Sequence, residues 1–157
     1  MERVPMTAGG FRRLEIELKT LKSEERPAVI KAIAEAREHG DLSENAEYHA
    51  ARERQSFIEG RVRDIEDKIS RSEVIDVSKL SGDTVKFGAQ VRLVDEDTEM
   101  ETAYQIVGVD EADISQGLLS VSAPLARALI NKAVGDSVTV DTPKGSHSYE
   151  IISIEFS

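Results

Sequence analysis

Two carboxylates three residues apart, Asp41 and Glu44, are the side chains whose types and spacing best suit chemistry in this sequence. Proteins bind Mg²⁺ with one or two carboxylates, together with waters and phosphate oxygens. Two exposed carboxylates do not make a catalytic centre alone. They would complete one inside a partner that already holds a metal and a phosphodiester. The adjacent start of a helix would favour their ionised form.

The same spacing is typical of a capping box. In that interpretation Asp41 caps the following helix and Glu44 reaches back to the Asp41 amide. The two interpretations are compatible, because a cap can orient Asp41 and still leave one carboxylate oxygen free. Two histidines, His39 and His49, flank the pair and suggest a metal site, but their spacing fits no closed site.

Composition excludes several classes of site. The chain of 157 residues has no cysteine, which excludes disulfides, thiolate metal sites and cysteine nucleophiles. Aromatic residues make up 4% and tryptophan is absent, which argues against a large aromatic-lined pocket. The net charge of −10 disfavours nonspecific binding to free nucleic acid. The first residues lack the apolar core of a signal peptide and no segment is long enough to cross a bilayer, so a soluble cytoplasmic protein is expected.

The first half of the chain is predicted to form two long helices that carry the acidic pair between them. The first helix has apolar residues at the spacing of a coiled-coil seam: Phe11, Leu14, Leu18 and Leu21. Ile30 and Ile33 continue this apolar face after Pro27, where a kink and a register shift are expected. The second repeats such a pattern at Tyr48, Ala51, Gln55, Ile58, Val62, Ile65 and Ile69.

Only a few residues, beginning with Gly40, separate the two helices, so they must fold back antiparallel. Each helix of roughly 30 residues would be about 45 Å long. Residues 40–44, here called the tip, would lie at the far end. This pairing within one chain satisfies both seams, so a monomer is expected.

The second half changes to a period of two. A strand or a bulged pair is predicted at 85–94, and further strands at 104–107, 118–121, 137–140 and 149–152. A short helix follows Ser122, its predicted cap, with Pro124 in the first turn and Leu125, Leu129 and Ile130 facing inward. The fold class is therefore α+β, with a coiled-coil hairpin over 1–75, a linker over 76–82 and a sheet domain over 83–157.

A family resemblance covers nearly the whole chain. The run Ile33–Ala51 closely resembles the coiled-coil tip of the GreA/GreB family, and the chain is closest to its GreA members. Similarity extends to Pro5-Met6-Thr7, Leu21-Lys22, Arg26-Pro27 and Ile65–Ile69, and the run Ser120–Ile130 resembles that family's C-terminal signature.

The resemblance implies a transcript-cleavage factor that is not itself an enzyme. In this family the hairpin enters the secondary channel of bacterial RNA polymerase. The acidic pair helps hold a second Mg²⁺ beside the polymerase's own metal, and the polymerase then cleaves its backtracked RNA. By position Asp41 and Glu44 take that role, with Mg²⁺ shared only in the complex and no cofactor bound by the chain alone.

Further residues acquire roles from the same resemblance. Arg37 and Arg52 would contact the extruded RNA 3′ end, although helix ion pairs explain lone arginines equally well. Residues that would support the tip are Leu42, Asn45 and Tyr48, and Tyr48 lies on the apolar seam. The second half resembles an FKBP-like domain that grips the polymerase rim, without isomerase activity. Its predicted contacts are Ser122, Pro124 and Leu125, although core packing explains Leu125 equally well.

The sequence leaves three alternative functions open. The chain is a polymerase cofactor that promotes RNA cleavage, a channel-binding regulator without cleavage, or a coiled-coil adaptor with an inert acidic cap. The intact pair of Asp41 and Glu44 favours the first. The third predicts dimerisation through the heptads and no effect on polymerase.

Overall fold

A computed structural model describes residues 2–156, which form two compact units. One unit, here the hairpin unit, contains residues 12–71, and the other, the sheet unit, combines the residues up to Phe11 with those from Ser72 onward. Met1 and Ser157, at the outer ends of the predicted ranges, lie outside the described residues.

This division differs from the predicted boundaries because two short strands join the ends of the hairpin to the sheet unit. Strand β1 (Val4–Thr7) pairs in parallel with β2 (Ser72–Ile75). Each strand is only four residues long, too short for a period of two to stand out. The predicted linker contains a 3₁₀ turn at Val77–Lys79, of which Val77 is buried.

The hairpin unit confirms the predicted pair of antiparallel helices. The first is continuous over residues 8–37 and comprises α1 (Ala8–Thr20), a π-helix (Leu21–Glu25) and α2 (Arg26–Arg37). The second is α3 (Ala46–Arg71). The buried apolar side chains of this unit form the seam between the helices: Leu14, Leu21, Val29, Ala36, Ile58, Val62 and Ile65.

The seam of the first helix departs from the prediction at one position. Ile30 is 53% exposed, whereas Val29 is buried. In the π-helix the Arg26 N–H donates to the Leu21 carbonyl, five residues back, which inserts one extra residue into the turn. Pro27, in the first turn of α2, has no N–H to continue the normal bonding pattern. The register shift predicted at Pro27 is thus made by the turn before it.

Two bidentate ion pairs connect the helices across the seam. Arg26 donates to Glu59 at 2.7 and 2.8 Å, and Arg61 donates to Glu17 at 2.6 and 2.9 Å. The planar guanidinium matches both carboxylate oxygens at once, which makes such pairs sensitive to geometry. They therefore specify the axial register of the two helices, which the apolar seam defines only loosely.

We expect Glu17→Gln to lower stability at pH 7 but not in acid. The hydrogen bond from Arg61 is the largest cause that holds the pKa of Glu17 below its ordinary value. A carboxylate with a lowered folded-state pKa stabilises the fold above its unfolded value of 4.5, and that contribution is lost as the pH falls through the folded pKa. The loss at pH 7 should not exceed about 1 kcal/mol, because the pair is partly exposed and screened.

Thermal unfolding over a series of pH values from 7 downward measures this difference, because the contribution is lost as the pH falls through the lowered folded-state pKa. Glu15→Gln on the same helix is the control, since Glu15 has no ion pair among the described residues. A deficit of Glu17→Gln that persisted unchanged in acid would contradict the assignment to the ion pair.

The larger of the two sheets in the sheet unit consists of β3 (Gln90–Asp95), β4 (Glu101–Val107), β5 (Leu118–Ser120), β6 (Ser137–Thr142) and β7 (Gly145–Glu155). Their order across this sheet is β5–β4–β3–β7–β6, and among its described strands only the neighbours β4 and β5 run parallel. Helix α4 (Pro124–Leu129) contributes to the core with Ala126 and Leu129, and the other buried members come from the strands and their approaches: Val85, Ala89, Val91, Leu93, Ile106, Leu119, Val138 and Ile151. The predicted α+β fold class is confirmed.

The strand or bulged pair predicted at 85–94 begins later than expected. The run 85–94 enters the sheet only at Gln90, and a turn at Gly88 precedes it. Gly88 has φ +87°, and a Cβ there would lie 2.2 Å from the Val77 side chain. Glycine permits this backbone at little cost. Residue 85 bonds instead to the chain after α4, through Asn131 and Lys132.

A buried carboxylate, Glu111, fixes the beginning of α1 within the sheet unit. Glu111 accepts hydrogen bonds from the Thr7 amide at 2.7 Å, from the Thr7 hydroxyl and from the Gly108 amide at 2.9 Å. The Thr7 hydroxyl in turn accepts from the Gly10 amide at 3.0 Å and so caps α1. We call these four residues the Glu111 clamp.

In the described part of the chain no helix is both long and apolar enough for a membrane span.

Candidate functional site

The acidic pair lies in the short connection between α2 and α3. Helix α2 ends at Arg37, and Gly40 has φ +102°, a left-handed conformation that ends helices at low cost for glycine. Residues Leu42–Glu44 form one 3₁₀ turn. Both carboxylates are exposed, and Leu42 between them is half-buried.

The cap of α3 is Asn45 and not Asp41, which corrects the capping-box interpretation. The Asn45 Oδ1 atom accepts from the Tyr48 amide at 3.0 Å, the geometry of a helix N-cap. Its Nδ2 atom donates to the Ala36 carbonyl at 2.7 Å, near the end of α2. One side chain therefore caps the second helix and joins it to the first.

Asp41 caps only the 3₁₀ turn and not helix α3. Its Oδ1 atom accepts from the Ser43 hydroxyl at 2.8 Å and from the Ser43 amide at 3.0 Å. These two bonds, the hydroxyl bond first, hold the pKa of Asp41 below its ordinary value. The carboxyl is therefore ionised at neutral pH, the form that a hard cation requires. Among the described residues Glu44 makes no bond to the Asp41 amide.

The histidines make contacts other than those of a metal site. His49 Nε2 lies 3.2 Å from the Ser43 carbonyl oxygen, and His39 Nε2 lies 3.8 Å from a Glu47 oxygen. Over residues 2–156, no three His, Asp or Glu side chains are grouped to hold a metal ion. A cation at Asp41 and Glu44 would thus need further oxygens from another molecule.

The two arginines predicted to contact RNA both lie close to the tip in sequence. The Arg37 guanidinium carbon lies 5.9 Å from the centre of the Tyr48 ring, a cation–π distance. Tyr48 is half-buried, as its place on the seam requires. Arg52 is exposed, and the described residues give it no ion pair. Neither guanidinium group has an ion pair with a carboxylate within residues 2–156.

The predicted contacts of the second half lie at the start of α4. Ser122 and Pro124 are exposed, whereas Leu125 is partly buried against the sheet core. The helix begins after Ala123 without a side-chain cap, so the predicted cap at Ser122 is wrong. The Ser122 hydroxyl bonds instead to the Ser120 hydroxyl at 2.8 Å.

Sequence reasoning overlooked Ser43, the residue that holds Asp41. A signal for it was present, because Asp and Ser two residues apart form a turn in which the carboxylate accepts from the Ser backbone. The chain contains this Asp-x-Ser unit at two further places, Asp76–Ser78 and Asp113–Ser115. In both the carboxylate accepts from the Ser amide and the Ser hydroxyl.

Comparison with known proteins identifies both halves of the chain. Residues 4–74 match the family described as "Transcription elongation factor, N-terminal". Residues 80–156 match the family described as "Transcription elongation factor, GreA/GreB, C-term". The two matches together span almost every described residue.

Individual relatives agree with these matches. The chain is 64% identical over 156 residues to transcription elongation factor GreA of Rhodospirillum rubrum, with 99% of both chains covered. It is 66% identical over 157 residues to that of Ruegeria pomeroyi, with 100% of both covered. A similar solved structure is GreA factor homolog 1 of Thermus thermophilus, at 28% identity, TM-score 0.45 and coverage of 98% of this chain and 99% of that chain.

Proposed function

The chain belongs to the GreA/GreB family of transcription elongation factors, and on that premise we propose that it stimulates the RNA-cleavage activity of bacterial RNA polymerase. In this proposal the tip enters the polymerase's secondary channel and reaches backtracked RNA. The observation that supports it best is Asp41, an exposed, ionised carboxylate whose position is fixed by Ser43.

The acidic pair would supply oxygen ligands to a Mg²⁺ ion shared with the polymerase. Asp41 and Glu44 are both exposed at the end of the hairpin unit, where a partner's oxygens can reach the same ion. In two-metal phosphoryl chemistry the ions stabilise the attacking and leaving oxygens. The bond-breaking step would belong to the polymerase, so the chain is a cofactor of the reaction.

The hairpin would also place positively charged side chains beside the RNA. Arg37 and Arg52 lie near the acidic pair in sequence and are not neutralised by described carboxylates. Cations placed beside phosphates release counterions and favour binding. We propose that these two arginines contact the extruded RNA strand, while the start of α4, with Ser122, Pro124 and Leu125, contacts the polymerase outside the channel.

Stalled, backtracked elongation complexes with labelled RNA and Mg²⁺ test the proposed function. Addition of the protein should shorten the RNA from its 3′ end and let the polymerase resume elongation. If the protein binds the complexes and the RNA keeps its length, the alternative of a regulator without cleavage is correct. If it does not bind at all, both interpretations are wrong.

We expect Arg52→Gln to reduce the cleavage rate about fivefold at low salt, since one surface charge contact is worth roughly 1 kcal/mol. The effect should shrink as salt screens the contact. Arg63→Gln removes a second exposed arginine of α3, three turns farther along the helix, and should leave the rate unchanged. Equal effects of the two substitutions would exclude a specific RNA contact of Arg52. The measurement is the cleavage rate of each variant at several salt concentrations.

A further inference from the structure

We propose that Ser43 is a positioning residue for the cleavage reaction, because it holds one carboxylate oxygen of Asp41 and leaves the other for the cation. This inference rests on the proposed function, in which Asp41 binds the shared Mg²⁺. Ser43 itself does not touch the ion or the RNA in this proposal. It acts through Asp41.

The two hydrogen bonds from Ser43 converge on a single atom. The amide and the hydroxyl both donate to Asp41 Oδ1, at 3.0 and 2.8 Å. Two bonds from different directions restrict rotation of the carboxylate about both side-chain torsions. Within residues 2–156 Oδ2 of Asp41 has no hydrogen-bond partner. The fixed carboxylate thus presents one oxygen as a ligand.

Ser43 is itself held in place by the beginning of α3. Its carbonyl oxygen lies 3.2 Å from His49 Nε2, and the neighbouring Leu42 carbonyl accepts from the Asn45 amide at 3.4 Å. Asn45 also bonds to the end of α2 through Ala36. A series of contacts therefore runs from both helices to the Asp41 carboxylate. Side chains supported in this way bind with less loss of conformational freedom.

Glu44 provides a contrast within the same turn. In the described structure its side chain makes no hydrogen bond or ion pair, and it is exposed. Of the two carboxylates, one is fixed before the cation arrives and the other is not. Removal of the Ser43 hydroxyl would weaken the restraint on Asp41 and make it resemble Glu44.

The repeated Asp-x-Ser unit separates positioning from simple turn stability. Ser78 donates its amide and hydroxyl to Asp76 Oδ1 at 3.1 and 2.5 Å, as Ser43 does to Asp41. This copy lies in the sheet unit, away from the acidic pair in sequence. Ser78→Ala removes the same hydroxyl from the same kind of turn. It is the matched control for Ser43→Ala.

The experiment measures cleavage of backtracked RNA by the full chain with polymerase, as a function of Mg²⁺ and of factor concentration. We expect Ser43→Ala to raise the Mg²⁺ concentration for half-maximal cleavage about tenfold, the usual cost of losing a group that orients a metal ligand. The factor concentration for half-maximal effect should not change. Ser43→Thr should restore the wild-type Mg²⁺ requirement, and Ser78→Ala should retain it.

A comparison of two variants at position 43 separates loss of the hydroxyl donor from misfolding of the turn. Ser43→Thr and Ser43→Val have nearly the same shape and differ in the hydroxyl donor. If threonine and valine give the same Mg²⁺ requirement, or if Ser43→Ala matches the wild type, the proposal is wrong while the proposed function stands. If the wild-type protein itself fails to stimulate cleavage, the proposed function fails and this inference fails with it.

Discussion

Asp41→Asn should bind RNA polymerase like the wild-type chain and stimulate RNA cleavage at a rate lower by at least about a hundredfold, comparable to the loss of one charge-stabilising group in an enzyme. Asparagine keeps the oxygen that accepts both bonds from Ser43, so the turn should keep its shape. The substitution places an amide nitrogen at the free Oδ2 position. That group carries no charge and cannot ligate Mg²⁺.

The chain provides a matched control for this result. Asp76 accepts the same two bonds from Ser78, which lower its pKa as Ser43 lowers that of Asp41. Asp76→Asn should therefore change stability to a similar degree and leave cleavage intact. The measurement is RNA shortening in backtracked complexes at saturating factor, with binding to polymerase measured separately. Equal cleavage by Asp41→Asn and the wild type would show that Asp41 acts only as a cap.

Gly108→Ala should destabilise the sheet unit by about 3 kcal/mol, at the upper end of what overpacking costs. A Cβ atom on residue 108 would lie 2.0 Å from the Pro5 carbonyl oxygen, which is backbone and cannot rotate away. The Gly108 amide also donates to Glu111, the centre of the Glu111 clamp. Any backbone shift that relieves the clash would pull this amide from the buried carboxylate.

Gly60→Ala is the opposite case within the hairpin unit. Gly60 lies inside α3, and a Cβ atom there would meet no other atom within 4 Å. Alanine should stabilise the helix by about 1 kcal/mol, because glycine has more conformational freedom to lose on folding. Native-state hydrogen exchange measures the stability of each unit separately. Protection of β3 amides should fall in Gly108→Ala, and protection of α3 amides should rise in Gly60→Ala. Unaltered β3 protection would contradict the predicted clash.

The helical hairpin was predictable because its signal is periodic. Apolar residues at alternating steps of three and four identify both helices and the turn between them, and Ile58, Val62 and Ile65 are buried as expected. The error at Ile30 has a specific cause. A π-helix adds one residue to a turn, and nothing in the spacing alone distinguishes Val29 from Ile30 as the next seam residue.

The details of the tip depended on bonds between residues distant in sequence. The residue types at positions 41–45 allow either Asp41 or Asn45 to cap the helix. The choice of Asn45 is coupled to its second bond, to Ala36 at the end of α2, which forms only when the two helices lie side by side. Local preference cannot include that bond. The same pairing leaves Asp41 outside the helix, with Ser43 as its partner.

Local features of the sequence are enough to predict two carboxylates at the end of a long antiparallel hairpin, because the heptad spacing, the helix-ending Gly40 and the short connection all lie within a few residues of one another. The oxygen of Asp41 that accepts hydrogen bonds could be identified only in the folded chain, since it depends on the turn that Asn45 closes between the two helices. The pairing of β1 with β2 and the burial of Glu111 against Thr7 could likewise be identified only there. Those contacts link residues far apart in the chain, where short strands and single polar side chains carry no periodic signal.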